Sequence, residues 1–338
     1  MKAVVLHAVN DLRCEDVPTP KLGPGHVKVR IGFCGVCGSD IPRIFQKGTY
    51  HFPTICGHEF AGTITEVASD VIGFKTGDRI AVFPLLWCNK CPACAEEKFV
   101  QCADYDYFGS RRNGAFAEYL VAPTRNLVPV PSGVSMEEAS MTEPAAVARH
   151  ALRRVGERLT AKTVAVFGAG PIGLMVAQWA RAMDAAAVTI YDLIPRKLEM
   201  AQAMGFTQVF NSREVAPQEA DVTVDAAGVP AALLTAMKVA ARNGHVILLG
   251  NPAGDLNLPT KLWSQLMRRE VKLYGTWNSD FSATGKDDDW RASLAAMANG
   301  ALNLKPLISH RVLLADAIAA LQMMKDGKEF YSKVLIQP

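Results

Sequence analysis

Three residue types that together bind a transition metal fall close to one another in this 338-residue chain. Cys37-Gly38-Ser39-Asp40 is followed, after a polar and aromatic segment, by Gly57-His58-Glu59-Phe60-Ala61-Gly62. A cysteine, a histidine and a carboxylate are donors that Zn²⁺ accepts when one coordination position stays open for chemistry. Thiolate and imidazole suit zinc, and a carboxylate leaves the ion more electrophilic than a further sulfur would. Taken singly, these residues read more readily as a buried thiol and a hydrogen-bonded core histidine. Their grouping among glycines favours the metal. A helical zinc-protease motif does not fit, because Gly62 stands where a second imidazole is required.

A second group is denser: Cys88-x2-Cys91-x2-Cys94-x7-Cys102, in a polar loop with Lys90, Pro92 and Glu96. This spacing lets four thiolates close on one tetrahedral ion, which predicts a structural zinc. Such a site contributes roughly 10 kcal/mol to local folding, enough to order a loop with little core of its own. Bacterial iron–sulfur runs use a shorter last gap followed by proline, whereas Ala103 follows here. Cys14, Cys34 and Cys56 remain as small buried hydrophobes.

The elements that must position these groups follow from composition and pattern. At 49% hydrophobic and 20% charged residues the chain is an ordinary globular one. A net charge of +3 is too mild for a nucleic-acid or membrane partner but suits small anions. Met1-Lys2-Ala3-Val4-Val5-Leu6 does not read as a leader, and Val164 to Ala180 is broken by Gly168, Gly170, Pro171 and Gly173. A cytoplasmic protein of two domains is expected. Residues 1–148 carry short β-branched runs, Lys2 to Leu6, Val27 to Ile31, Thr63 to Val67 and Arg79 to Phe83, and predict a β-rich domain of partly open barrel form. Residues 149–285 change texture. Thr163-Val-Ala-Val-Phe enters Gly168-Ala169-Gly170-Pro171-Ile172-Gly173 and then a helical pattern. Strand, glycine turn and helix in this order bind a dinucleotide pyrophosphate at the helix N-terminus. Asp192, closing the next strand, suits the ribose hydroxyls of NAD, while Arg196 keeps NADP open. A helix from Pro230 to Arg242, stopped by Gly244, and further strands complete a six-stranded doubly wound sheet. The tail, 286–338, is expected to rejoin the first domain and leave a cleft between the two.

Gly57-His58-Glu59-x2-Gly62 with Ala68 and Val71, the four-cysteine loop and the Gly168 to Gly173 turn, in that order, resemble the zinc-dependent medium-chain dehydrogenases over the whole chain. The resemblance implies an α/β fold with a GroES-like catalytic domain and a Rossmann domain, two zinc ions per chain, NAD, and a homo-oligomer, dimer or tetramer. It implies a catalytic zinc on Cys37, His58 and Glu143, the last within Thr142-Glu143-Pro144. Glu59 is then a neighbour or an exchanging ligand; the residues alone had placed it among the ligands, and both readings stand. Cys88, Cys91, Cys94 and Cys102 would hold the second zinc. The chemistry implied is hydride transfer from an alkoxide, with Ser39 taking the proton. Some members carry a relay histidine five residues after the first ligand, where this chain has Pro42. The stretches Cys37 to Phe45, Cys56 to Gly62, Tyr107 to Gly114 and Ile308 to Arg311 are similar to members acting on a phosphorylated hexitol. A polyol phosphate needs a cationic grip, for which Arg111, Arg112 and Arg43, with Lys47, are the candidates. Another polyol such as sorbitol, threonine, and a non-catalytic nucleotide-binding role are the alternatives.

Overall fold

Val27, Val29 and Ile31 alternate with Lys28 and Arg30, so His26–Gly35 extends as a strand with one apolar face inward in the computed structural model, which describes residues 1–338. This strand organises the first of two compact units, Met1–Glu143 with Asp280–Ala298 and Ile308–Pro338. It pairs antiparallel with Glu59–Val67, placing Gly35 opposite Glu59 and Cys34 opposite Phe60. Tyr119–Pro123 pairs with its first half, and the terminal strand Lys333–Gln337 pairs with its end through Cys34 and Gly35. Arg79–Val82, Leu127–Pro129 and Ile308–Leu313 complete a seven-stranded mixed sheet. Asp11–Asp16, Lys2–Ala8 and Thr54–Ile55 form a smaller antiparallel sheet. Cys37, Glu59 and Lys333 therefore leave or enter neighbouring strands at one end of the larger sheet.

The second unit, Pro144–Ser279 with Asn299–Leu307, is built on six parallel strands. Their order is Gln208–Asn211, Ala187–Asp192, Thr163–Phe167, Ala220–Asp225, Ala240–Leu248 and Lys272–Gly275. The direction reverses at Thr163–Phe167, as in doubly wound nucleotide-binding sheets, where ligands bind at the strands' carboxyl ends. Val164, Val166 and Val222 are buried, which explains the unbroken apolar runs.

Two expectations need correction. The helix starting at Pro230 ends at Val239, because Ala240 already pairs with Ala220 in the sheet. Gly244 is not its stop but a point of close approach, where a Cβ would lie 2.7 Å from the Ala241 carbonyl oxygen. The tail also does not return as one piece. Asn299–Leu307 belongs to the second unit, where the Asn303 N–H donates to Gln178 Oε1 at 2.8 Å and Leu302, Leu304 and Leu307 are buried. No helix is long and apolar enough to cross a membrane.

Close strand packing accounts for Gly62. A Cβ there would lie 2.2 Å from the Arg30 carbonyl oxygen and 2.7 Å from Val29 Cγ1, and the backbone oxygen cannot yield without breaking the ladder. Gly62→Ala is expected to lower stability by about 1–3 kcal/mol. Gly133→Ala, where nothing lies within 4 Å, serves as the neutral control in the same urea titration. Equal midpoints for the two variants would show that the strands can separate at no cost.

Candidate active site

Cys37 sits in the bend after His26–Gly35, and Gly57 delivers the chain to His58 and Glu59. Gly57 has φ +93°, and a Cβ would meet Phe116 at 2.5 Å and Cys34 Sγ at 2.8 Å, so the approach to His58 requires glycine. The result is that donor atoms of Cys37, His58 and Glu59 lie within 4.8 Å of one another. These three suit a zinc site with room left for a substrate oxygen.

The groups around the trio hold it for a cation. Ser39 Oγ donates to Cys37 Sγ at 3.2 Å, which fixes the sulfur's position. Asp40 is fully buried; its Oδ2 accepts the Cys37 N–H at 3.0 Å, and its Oδ1 accepts from Arg43 Nη1 at 2.6 Å and lies 3.6 Å from His58 Nδ1. Burial works against an ionised Asp40, but His58, Arg43 and the Cys37 N–H outweigh it and hold the carboxyl below its usual range. Burial likewise opposes a charged His58, yet Asp40 and Cys37 raise its affinity for a proton well above the ordinary value. Whatever favours a proton on that ring favours a cation beside it. His58 Nδ1 has no hydrogen-bond partner and faces Asp40, so the carboxylate orients the imidazole as outer partners of metal ligands do.

Two neighbours complete the centre. Lys333 is buried, forms an ion pair with Glu59 Oε2 and donates to the Val36 carbonyl at 3.1 Å. Gly35 makes room for this pair, since a Cβ there would lie 2.4 Å from Glu59 Oε2. Glu143 stands beside the trio rather than in it. Its Oε1 accepts from Tyr107 Oη at 3.5 Å, and the Tyr107 ring meets His58 edge-on at 5.7 Å. Burial pushes Glu143 up to about 7, with His58, Lys333 and Tyr107 pulling it down and Glu59 adding to the rise. A capping box at Ser135 and Glu138 starts the short helix Met136–Ser140 that leads to Glu143. The geometry thus groups Glu59, not Glu143, with Cys37 and His58. Asp40 and Lys333 were missed in the sequence. Asp40 had a signal in its position within Cys-Gly-Ser-Asp; Lys333 had none, since only strand pairing brings it here.

Cys88, Cys91, Cys94 and Cys102 converge as their spacing predicts, with Sγ–Sγ distances of 3.9 Å for Cys88–Cys94 and 3.5 Å for Cys91–Cys94. Sulfurs bound at about 2.3 Å around a tetrahedral ion stand roughly 3.8 Å apart, so the set fits zinc. Backbone N–H groups of Ala103 and Cys94 bring Cys91 down to about 6, while burial pushes Cys94 up to about 12. Beneath the loop, Trp87 stacks on Phe99 at 4.0 Å and carries Arg125 at 4.5 Å.

In the second unit Gly168 takes φ +108°, and a Cβ at Gly173 would lie 1.8 Å from the Gly168 carbonyl oxygen, so turn and helix close only with glycine. A Cβ at Gly170 meets nothing within 4 Å, leaving open space before the helix Pro171–Ala182, whose second residue is Ile172. Asp192 Oδ2 accepts the Ala169 N–H at 2.7 Å, and Oδ1 accepts from Leu193 and Ile194 at 2.7 and 2.9 Å. The carboxylate therefore both caps its own turn and braces the glycine turn. Arg196 lies in the following helix, Pro195–Ala203.

Of the arginines considered for an anion, Arg43 is paired with Asp40, Arg112 Nε with Asp106 Oδ2 at 2.6 Å, and Arg111 lies between the rings of Tyr50 and Tyr105.

Known proteins match both parts of the chain. Residues 23–132 fit the alcohol dehydrogenase GroES-like domain, and residues 171–299 the zinc-binding dehydrogenase family. Galactitol 1-phosphate 5-dehydrogenase of Escherichia coli K12 is 35% identical over 92% of this chain and 92% of its own. Sorbitol dehydrogenase of Bacillus subtilis is 31% identical over 100% and 97%. The crystal structure of galactitol-1-phosphate dehydrogenase from Escherichia coli superposes with a TM-score of 0.93 at 33% identity, over 100% of both chains. With its two metal-binding constellations and its glycine turn in place, the chain belongs to the zinc-binding medium-chain dehydrogenases, enzymes that use zinc and a nucleotide cofactor to oxidise or reduce alcohols and polyols.

Proposed function

We propose that the enzyme oxidises a phosphorylated hexitol, galactitol 1-phosphate, to the ketose tagatose 6-phosphate with NAD. The observation that carries the reading is the convergence of Cys37, His58 and Glu59 donors within 4.8 Å. The similarity over 92% of both chains to a galactitol 1-phosphate 5-dehydrogenase supports the substrate. What zinc supplies on such donors is Lewis acidity that lowers a hydroxyl's pKa, as water falls from 15.7 to about 7. NAD supplies the hydride acceptor, so the carbinol loses two electrons as hydride and one proton to solvent. This chain's residues do the rest. Ser39, at Cys37 Sγ, takes the hydroxyl proton, since Pro42 leaves no imidazole for a relay. Asp40 fixes the His58 ring, and Lys333 restrains Glu59, so the metal's donors are set before substrate arrives. Gly168, Gly170 and Gly173 with the N-terminus of Pro171–Ala182 receive the pyrophosphate, and Asp192, besides bracing the glycine turn, accepts from the ribose hydroxyls.

The substrate reading is tested by initial rates of NADH formation on galactitol 1-phosphate, sorbitol and threonine, repeated with NADP. The highest kcat/KM is expected for galactitol 1-phosphate with NAD; a higher value for sorbitol or threonine reassigns the substrate within the same chemistry.

Metal stoichiometry separates the two centres. Purified enzyme is expected to hold two zinc ions per chain. Cys37→Ala should retain one and lose activity by about 10³-fold. Cys94→Ala should also retain one but alter Trp87 emission, because the aromatic base lies under that loop. Unchanged zinc content in Cys37→Ala would remove that centre.

Lys333 competes with a metal ion for the Glu59 carboxylate. Lys333→Met removes one positive charge from beside the donors and frees Glu59, so zinc should bind about tenfold more tightly in chelator competition, with a lower kcat. Weaker zinc binding would mean that Lys333 props the carboxylate in its binding position instead.

A further inference from the structure

Ion pairing sorts the three arginines that sequence offered to a substrate phosphate. Arg43 gives Nη1 to the buried Asp40, and Asp40 faces His58. Arg112 gives Nε to Asp106. Arg111 has no carboxylate partner; its guanidinium carbon stands 4.2 Å from the Tyr50 ring centroid and 4.4 Å from that of Tyr105. Contacts to the two rings, with hydrogen bonds to the Tyr50 and Tyr105 side chains, restrain the guanidinium without neutralising it. The backbone is tied down as well. Arg111 N–H donates to the Tyr107 carbonyl at 3.0 Å, and the His51 ring donates Nε2–H to the Arg111 carbonyl at 3.0 Å.

A cavity beside Arg111 has room for an anion. Arg111 borders a cavity of about 870 Å³ in the first unit. Other cations on its wall are engaged: Lys90 faces Asp104, Arg112 faces Asp106, and Arg125 donates to the Trp87 carbonyl. Ring contacts connect this wall to the metal donors, from His58 to Tyr107 at 5.7 Å, from Tyr107 to Tyr105 at 6.4 Å, and from Tyr105 to Arg111. In an extended hexitol 1-phosphate the phosphate stands roughly 8 Å from C5, counting bonds of about 1.5 Å. A group that grips it must stand away from the metal donors. Arg43, beside Asp40 and His58, does not; Arg111, separated from His58 by the Tyr105 and Tyr107 rings, does.

We propose that Arg111, clamped between Tyr50 and Tyr105, is the subsite for the substrate's phosphate monoester, and that Arg43 and Arg112 have structural ion pairs instead. This rests on the polyol-phosphate reading above.

The test compares zinc-loaded wild type with Arg111→Met, Arg111→Lys and Arg112→Met. Steady-state rates are measured on galactitol 1-phosphate and on galactitol, and calorimetry measures binding of galactitol 1-phosphate without NAD. Arg111→Met is expected to raise KM and Kd for the phosphate ester roughly 10- to 100-fold, the loss of charged hydrogen bonds. The KM for galactitol should stay unchanged, Arg111→Lys should recover part of the loss, and Arg112→Met should not change the preference. An equal rise for both hexitols, or a preference that follows Arg112, overturns the assignment. If wild type turns over neither hexitol, the polyol-phosphate reaction fails, yet calorimetry still decides on the arginine. Ester binding lost in Arg111→Met keeps the anion subsite, and absent or Arg111-independent binding removes it. Arg111→Lys, which retains the charge, carries the comparison should the methionine variant not fold.

Discussion

Acidic groups buried together in the first unit constrain everything around them. Asp40, Glu59 and Glu143 are all buried, and the Cys37 sulfur lies among them. Without water, each ionised group costs several kcal/mol unless a partner compensates it. Arg43 pairs with Asp40 and Lys333 with Glu59, while Glu143 has neither as a partner in an ion pair. Against burial, Asp40 and Cys37 draw a proton to His58, and the same surroundings favour a metal cation there once the ring is neutral. Glu143 registers the shortage: burial and the nearby Glu59 carry it up to about 7 despite the pull of His58 and Lys333. The centre is therefore a folded arrangement whose electrostatics are completed by a metal ion.

That balance depends on the register of three strands. Gly35 opposite Glu59, and Leu335 opposite Gly35, bring the first, middle and last parts of the chain to one point. A slip of one residue would turn Glu59 or Lys333 to the other face of the sheet and leave the partner buried alone. The apolar core beneath, with Val27, Val29, Ile64 and Leu335, makes such a slip costly independently of the ions. Hydrophobic pattern and charge pairing thus specify the same alignment, the agreement between levels that marks a foldable sequence.

What was legible in the sequence was whatever the chain encodes locally. The four cysteines announce their site by spacing, and the glycine turn announces itself by the strand before and the helix after. The Cys37 and His58 pair was legible because each carries its own glycine context. Less local facts were not. Gln208–Asn211 is too short to show a period, yet it completes the parallel sheet beside Ala187–Asp192. The end of the helix from Pro230 was misread because Gly244 looks like a stop, whereas sheet pairing at Ala240 ends the helix earlier. Lys333 sits in a terminal strand where lysine normally faces water, and only its partner's position explains its burial. Similarly, three arginines of equal promise in the sequence are told apart only by their neighbours in the fold, carboxylates for Arg43 and Arg112 and tyrosine rings for Arg111.

A division of labour follows from where these groups lie. Cys37, His58, Glu59 and Lys333 are held at strand ends whose backbones are locked by ladder hydrogen bonds, so the positions available to a metal leave little freedom. Tyr50, Tyr105 and Arg111 lie on connecting segments, where a change of side chain disturbs no register. The relatives act on different polyols, a phosphorylated hexitol in one and sorbitol in another, while sharing the fold along nearly their whole length. Substitutions on connecting segments like these allow such divergence without disturbing the sheet. Exchanging a guanidinium at Arg111 for an uncharged group leaves the buried charges around Cys37 in balance; exchanging Lys333 or Asp40 does not. The metal centre is thus confined by the energetics of folding, while the segments that carry the proposed anion subsite are left free to vary.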